Sequence, residues 1–307
     1  ALRFGAVEVD GQSIRVQLAK EQLKKNAALK QKDGPGSKLG SKEVFADVRE
    51  RMAEKSVDTI VYVHGYNVSF QEAVLAAAQL KRNFAHLQGG KGVNVVLFSW
   101  PSDGSMMPYV AYANDRQDAA ASGPAFARAF LKLSDFLRGS TPEEACEQRI
   151  HLVAHSMGNY VMRHALQEIV RQSPGRPPRL FDQIFLMAAD EDDDAFEHDH
   201  KLKSLPGLAK RVSVYFNNND RAIAISDKTK GNPDRLGDDG PRLPRAIPGK
   251  VSLIDCTNVV SGFTEHSYYN EVETVIADMA KVLQGVPSKE IEGRTYDPET
   301  NRYRLKL

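Results

Sequence analysis

One serine in this sequence has the surroundings of a catalytic residue. Residues 153–158 read Val-Ala-His-Ser-Met-Gly and lie between a short apolar run and a helical pattern. This is the form of the G-x-S-x-G nucleophile elbow with Ala154 in place of the first glycine, and its small residues permit a sharp turn that raises the hydroxyl into a cleft. Ser156 is therefore predicted to be a nucleophile. The alternative is a serine that only caps a helix.

Acyl transfer by a serine also needs two donors that converge on the developing oxyanion. The backbone N–H of Met157 is one candidate, because it lies at a predicted helix N-terminus. The N–H of Tyr66 is the other, in the segment Val-His-Gly-Tyr-Asn at 63–67 that directly follows another apolar run. His64 could act there as a base, although a histidine that braces the loop by hydrogen bonds is the preferred interpretation.

The order of residues along the chain predicts the base and the acid that would activate the serine. His266 follows the final apolar run and precedes the final helical pattern, where the base of such an arrangement is expected. Asp220 comes after the penultimate run, so Ser156, Asp220 and His266 repeat the order Ser, Asp, His. Asp190, or its neighbour Asp192, follows the run before that and remains an alternative acid.

The acidic run at 190–200, which includes His198 and His200, permits a second interpretation as a cation site. It lacks a recognised ligand spacing such as that of the calcium-binding loop, so a solvated acidic turn and helix start is preferred. Substrate contacts are predicted at Asn67, Trp100 and Met107, with Met106 and Tyr109 completing an apolar wall. The alternative is that these apolar side chains pack under the loop.

The elements that would position these residues follow from hydrophobic patterning. Short apolar runs, most of them without polar alternation, fit strands buried on both faces of a parallel sheet. They occupy Thr59–Val63, Val93–Phe98, Ile150–Ala154, Gln183–Ala188, Val212–Phe216 and Val251–Ile254. Helical spacing lies between them, and the S-x-x-E pattern from Ser69 predicts a capping box. Strands alternating with helices predict a doubly wound, mostly parallel α/β sheet with helices on both faces.

A single domain over 1–285 is predicted, followed by a charged tail over 286–307 with a turn and alternating residues typical of a hairpin. Its N-terminal part, 1–55, is interpreted as strands, a basic loop and a helix. The connection 217–249 is rich in Gly and Pro and is a possible lid, because long loops in compact domains are often functional.

Composition excludes several classes of protein. The 307 residues carry 41 Lys and Arg against 40 Asp and Glu, and this net charge of +1 lacks the basic excess of a nucleic-acid-binding protein. An apolar content of 41% argues against disorder, and no apolar run is long enough to predict a transmembrane segment. Cys146 and Cys256 are predicted to be free thiols. A cytoplasmic location is preferred over export, and the sequence predicts no oligomeric state.

Taken together, these motifs resemble the α/β-hydrolase superfamily and, more closely, a bacterial α/β-hydrolase family catalogued as a domain of unknown function. The resemblance runs from about Phe4 to Leu283. It rests on V-H-G-Y-N-V-S-F at 63–70, F-S-W-P-S-D-G at 98–104, A-H-S-M-G-N at 154–159, F-D-Q-I at 181–184, N-D-R-A at 219–222 and H-S-Y-Y at 266–269. The family usually has Ala-Pro-Asp where this chain has Ala-Ala-Asp at 188–190.

The resemblance implies serine-hydrolase chemistry with Ser156, Asp220 and His266 as the triad. The sequence is accordingly interpreted as a serine esterase that acts on a small-molecule carboxylic ester and needs no metal or organic cofactor. Lipase, thioesterase and amidase activities are alternatives within the same chemistry. A non-catalytic binding or scaffold protein on a hydrolase fold is the alternative from another class.

Overall fold

The fold is built around one eight-stranded sheet. The computed structural model describes residues 2–20, 40–102, 108–139, 147–175, 177–220, 234–260 and 266–307. Its strands are β1 (Gly5–Asp10), β2 (Ser13–Leu18), β3 (Thr59–Val63), β4 (Asn94–Phe98), β5 (Ile150–His155), β6 (Phe181–Met187), β7 (Ala209–Phe216), β8 (Val251–Asp255), β9 (Arg294–Asp297) and β10 (Arg302–Leu305). Its longer helices are α1 (Gly40–Lys55), α2 (Phe70–Asn83), α3 (Pro108–Arg138), α4 (Gly158–Gln172) and α5 (Glu273–Leu283).

The remaining regular segments are short. Single helical turns lie at Leu87–Gly90, Leu236–Asp239 and Tyr268–Glu271. Turns of 3₁₀ helix lie at Leu205–Leu208, Pro244–Ala246 and Ser288–Glu290. Among the described residues, no helix is long and apolar enough to cross a membrane.

The strand order in the main sheet is β4-β3-β5-β6-β7-β8-β10-β9. All neighbouring pairs are parallel except β9 with β10, which are antiparallel. The six apolar runs correspond to β3 through β8, so the predicted doubly wound α/β sheet is confirmed. The carboxyl ends of these parallel strands meet at one edge of the sheet, where ligands bind in open α/β folds.

Each face of the sheet carries its own apolar core because successive side chains of a strand point to opposite faces. In β6, Ile184 and Leu186 join the core beneath α1, α3 and α4, whereas Phe185 and Met187 join the core beneath α2 and α5. All four side chains are fully buried. Strands buried on both faces read as continuous apolar runs, which is why the sequence pattern located them.

Two local features determine where α2 begins and how closely α3 packs on α4. The predicted capping box is present at α2: Ser69 Oγ accepts from the Glu72 N–H, and the Ser69 N–H donates to Glu72 Oε2 at 2.8 Å. In α3, Gly123 lies directly on α4, because a Cβ at this position would overlap the side chain of His164. Glycine therefore permits the close packing of α3 on α4.

A hairpin at the predicted position in the tail joins the main sheet. β9 and β10 pair with each other, and β10 adds to β8 with Tyr303 opposite Ile254. The buried side chain of Arg294 donates to both carboxylate oxygens of Asp278 in α5, at 2.7 and 2.6 Å. This ion pair fastens the hairpin to the domain. At the other end of the chain, β1 and β2 form a separate two-stranded sheet.

The predicted lid spans 217–249. Its described second half, 234–249, is a packed segment. Arg235 and Leu236 are buried, and the Leu236 N–H donates to the carbonyl of Glu191 at 2.8 Å. Gly237 lies against the backbone of Ala189, where a Cβ would not fit. Residues 221–233 lie outside the described residues. So do Cys146 and most of the basic loop, at 21–39.

Candidate active site

The turn at Ser156, which the sequence predicts to be a nucleophile elbow, has strained backbone geometry. Ser156 follows β5, is 6% exposed and has a φ of 50°, in the left-handed region that a non-glycine residue rarely adopts. Two glycines make room for it. A Cβ at Gly65 would lie 2.8 Å from the Cβ of Ser156, and a Cβ at Gly158 would lie 2.7 Å from the backbone oxygens of Val63 and His64. Neither approach tolerates a larger residue.

Hydrogen bonds to the backbone of Ser156 hold this conformation in place. Its N–H donates to the carbonyl of Met187 at 2.9 Å. Its carbonyl accepts from the Asn159 amide at 2.9 Å and from the Asp190 N–H at 3.2 Å. Asn159, fully buried, also donates to the carbonyl of Ala154 at 3.1 Å. The roles of Asn159 and of the Asp190 N–H were not predicted, although Asn159 is part of the quoted A-H-S-M-G-N motif.

The structure brings His266 and Asp220 together. The Nδ1–H of His266 donates to Asp220 Oδ2 at 2.7 Å, and the Asp220 side chain is 1% exposed against 20% for His266. Asp220 is placed by the turn that follows β7, where its N–H donates to the carbonyl of Asn217 at 3.1 Å. The backbone carbonyl of His266 lies 3.1 Å from Nε2 of His155, the residue before Ser156. The histidine segment and the elbow are therefore neighbours.

The loop after β3 is anchored by a carboxylate that sequence reasoning missed. Asp115, buried in α3, accepts from the Asn67 N–H at 3.3 Å and from the Ser102 hydroxyl. Ser102 in turn accepts from the Val68 N–H at 3.3 Å. Asn67 has a φ of 56° and is exposed, so its side chain remains a candidate contact for substrate. Asp115 thereby fixes the turn that carries the Tyr66 N–H.

His64 lies in the core beneath this loop. It is fully buried: its Nδ1–H donates to the carbonyl of Gly65 at 3.0 Å, and its Nε2 accepts from the Trp100 N–H at 3.2 Å. Burial lowers the pKa of His64, so the ring is held neutral. Both ring nitrogens are thus used in hydrogen bonds, as expected of a bracing residue.

Trp100 differs from its predicted place on a substrate wall. Its indole is 3% exposed, stacks on the ring of His64 at a centroid distance of 5.2 Å and donates its N–H to the carbonyl of His64 at 2.9 Å. These contacts place it in the core, because a buried indole needs a partner for its N–H. Met106, Met107 and the side chain of Tyr109 lie outside the described part of the chain.

The acidic run after β6 is not a solvated turn, and that prediction was wrong. Its buried carboxylates, Asp190, Glu191, Asp192 and Asp194, are between 0 and 8% exposed. Their partners are basic side chains from α3, α4 and the loops after β6 and β7: Arg116, Arg163, Lys201 and Arg235. Sequence distance hid the pairs made by the three arginines. Within the described ranges, no group of three or more His, Cys, Asp or Glu is arranged to hold a metal ion.

Asp190 itself is bound by cations and a phenol. The Tyr112 hydroxyl donates to both of its carboxylate oxygens, at 2.7 and 3.0 Å, and Arg235 Nε lies 3.4 Å from Oδ1. The ring of Tyr112 contacts that of Tyr66 edge to face, with centroids 5.6 Å apart. Burial raises the pKa of the adjacent Glu191 to about 7 even beside Arg163. Asp190 thus belongs to a structural network that also contacts the loop of Tyr66.

Comparison with known proteins agrees with this architecture. Residues 40–284 match the family described as alpha/beta hydrolase of unknown function, DUF900. The chain is also 30% identical over 150 residues to the uncharacterized protein alr1448 of Nostoc sp., an alignment that covers 42% of this chain and 36% of the Nostoc protein. Because the family match spans most of its length, the chain belongs to the α/β hydrolases of unknown function.

Proposed function

We propose that this protein is a serine hydrolase that cleaves carboxylic esters through an acyl-enzyme intermediate. The observation that carries the proposal is the 2.7 Å hydrogen bond from His266 to Asp220, beside an elbow that holds Ser156 at a φ of 50°. Such strain is concentrated at functional sites. A binding scaffold has no chemical need for a strained serine together with a carboxylate-oriented histidine.

In this proposal each member of the triad has one role. Asp220 accepts the Nδ1–H of His266 and thereby leaves Nε2 free of a proton. Nε2 takes the proton of the Ser156 hydroxyl as its oxygen attacks the ester carbonyl, and later delivers that proton to the departing alkoxide. Water then attacks the acyl-enzyme by the same route, and Ser156 is released with its proton restored.

The oxyanion of the tetrahedral intermediate is assigned to the backbone N–H groups of Met157 and Tyr66. Met157 lies at the N-cap of α4, where the first N–H groups have no partner within the helix and the helix dipole favours negative charge. Asp115 supports the second donor by anchoring the loop through the Asn67 N–H. Loss of one such donor typically costs about 10²–10³-fold in kcat.

Labelling with a fluorophosphonate, followed by mass spectrometry of the modified peptide, tests the proposal. We expect the label on Ser156, and we expect Ser156→Ala to abolish both labelling and hydrolysis of short p-nitrophenyl esters, with a loss on the order of 10³-fold or more in kcat. Ser99→Ala is the matched control, because Ser99 Oγ also lies near a histidine nitrogen, 3.4 Å from Nε2 of His64. Labelling that survives Ser156→Ala would refute the assignment.

A further inference from the structure

His155 contacts three parts of the candidate site at once. It directly precedes Ser156, and its Nε2–H donates to the backbone carbonyl of His266 at 3.1 Å. The two imidazole rings lie 4.7 Å apart between centroids. On another side, a Cβ at Gly65 would lie 3.1 Å from Nδ1 of His155, so the ring also touches the start of the oxyanion loop.

One tyrosine, Tyr269, contacts the ring of His155, and a second, Tyr62, is hydrogen-bonded to Tyr269. Tyr269 packs against the imidazole with centroids 4.7 Å apart and planes inclined by 37°. The hydroxyl of Tyr269 shares a 2.6 Å hydrogen bond with that of Tyr62 in β3. Both tyrosines are buried, so the imidazole of His155 packs against a buried, hydrogen-bonded aromatic pair.

His155 is also held in one protonation state. Burial, and the proximity of His266, lower its pKa well below the usual histidine value. A neutral imidazole has one N–H, and the carbonyl of His266 can only accept, so that proton lies on Nε2. Neutral His155 therefore adds no positive charge beside His266 when the base becomes an imidazolium.

We propose that His155 is a positioning residue for the base: its N–H fixes the backbone of His266 and so keeps the base in register with Ser156. This inference rests on the proposed function. His266 takes part in both acylation and deacylation, so its displacement should lower kcat and leave KM nearly unchanged. A misplacement of about 1 Å at a catalytic group can cost about 10²-fold.

The test compares His155→Gln with His155→Asn, because both are neutral amides and differ in reach. The Gln amide can take the place of Nε2 and donate to the His266 carbonyl, whereas the Asn amide falls short of it. We expect His155→Asn to lower kcat for a p-nitrophenyl ester about 10- to 100-fold with little change in KM, and His155→Gln to restore most of it. Tyr62→Phe is the matched control, since it alters the tyrosine pair without touching the His155 N–H.

A second readout separates this inference from the proposed function. The exchange rate of the His266 Nδ1 proton, measured by NMR, reports the position of the base without any substrate. We expect faster exchange in His155→Asn and the wild-type rate in His155→Gln. Equal kcat and equal exchange rates in the two variants would overturn the positioning role. A wild-type protein that neither hydrolyses esters nor takes the label would instead refute the proposed function.

Discussion

Two aspartates, Asp190 and Asp220, are equally buried but are contacted by different kinds of side chain. Each is 2% exposed and follows a parallel strand at the same edge of the sheet. Asp220 accepts a hydrogen bond from a titratable ring, that of His266. Asp190 faces Arg235 and a tyrosine hydroxyl, with Arg116 4.0 Å away. Neither burial nor position in the fold distinguishes the two aspartates. The side chains that contact each of them make the difference.

The difference shows what an orienting acid requires. In our proposal Asp220 is the orienting acid, so its carboxylate must stabilise a positive charge that appears only during the reaction. Asp190 is already committed to permanent cations, because guanidinium groups stay protonated at any ordinary pH. Asp220 instead faces the imidazole of His266, which in our proposal gains a proton only during the reaction. The two carboxylates should consequently respond to the same substitution in different ways.

The largest expected effect is the loss of activity in Asp220→Asn. The amide can present an N–H to His266 and favour the wrong tautomer, so kcat should fall on the order of 10³–10⁴-fold, as found for the equivalent change in a well-studied triad. Steady-state hydrolysis of one ester by the wild type, Asp220→Asn and Asp190→Asn gives the comparison. An active Asp220→Asn beside an inactive, folded Asp190→Asn would reverse our assignment.

The next effect is a loss of stability in Asp190→Asn. Removing the charge weakens the buried contacts with Arg235 and Tyr112, although Arg235 keeps Asp192 at 2.7 Å, and should cost about 1.5–3 kcal/mol in the free energy of unfolding measured by urea denaturation. Asp239→Asn is the control, because its salt bridge to Arg302 involves an aspartate side chain that is 68% exposed. Exposed pairs contribute about 1 kcal/mol or less. Equal losses in both variants would contradict the network interpretation.

A smaller effect concerns the pH dependence of stability, which has opposite signs for His64 and Glu191. The pKa of His64 is lowered by burial, so below about pH 6.5 the unfolded chain binds more protons than the folded one, and stability decreases as the pH is lowered. Glu191 is the opposite case. Its pKa is raised to about 7 from 4.5, so its contribution is complete below the lower value and is lost as pH rises through the higher one.

Urea denaturation between about pH 5 and about pH 7.5 tests both signs. His64→Gln should lose less stability than the wild type as the pH falls, and Glu191→Gln should lose less as the pH rises. Identical pH slopes for the wild type and both variants would show that neither group changes its protonation on folding.

The sequence predicted what short-range patterns encode. Strands buried on both faces leave continuous apolar runs, and the elbow needs small residues at fixed spacing around Ser156, so both were recognisable. The pairing of His266 with Asp220 also agreed with chain order. These features depend on residues close together in the chain or on a fixed order of strands.

The features that were missed depend on contacts between distant segments. A cluster of acidic residues looks solvated until Arg116, Arg163 and Arg235 arrive from separate segments of the chain. For Trp100 the sequence left a binding wall and packing under the loop both open, because an aromatic residue at a strand end fits either role, and its stacking on His64 favours packing. Neither contact leaves a periodic signal in the sequence.

The hairpin β9–β10 has a consequence for the folding of the protein during its synthesis. A nascent chain that has not yet reached β10, which begins at Arg302, presents β8 with unpaired N–H and C=O groups, a template on which other chains can add. The four-residue β9, Arg294–Asp297, then replaces that edge with a short one. Once the hairpin has been translated, the edge of β8 is covered. Chains released before that point should aggregate more and depend most on chaperones.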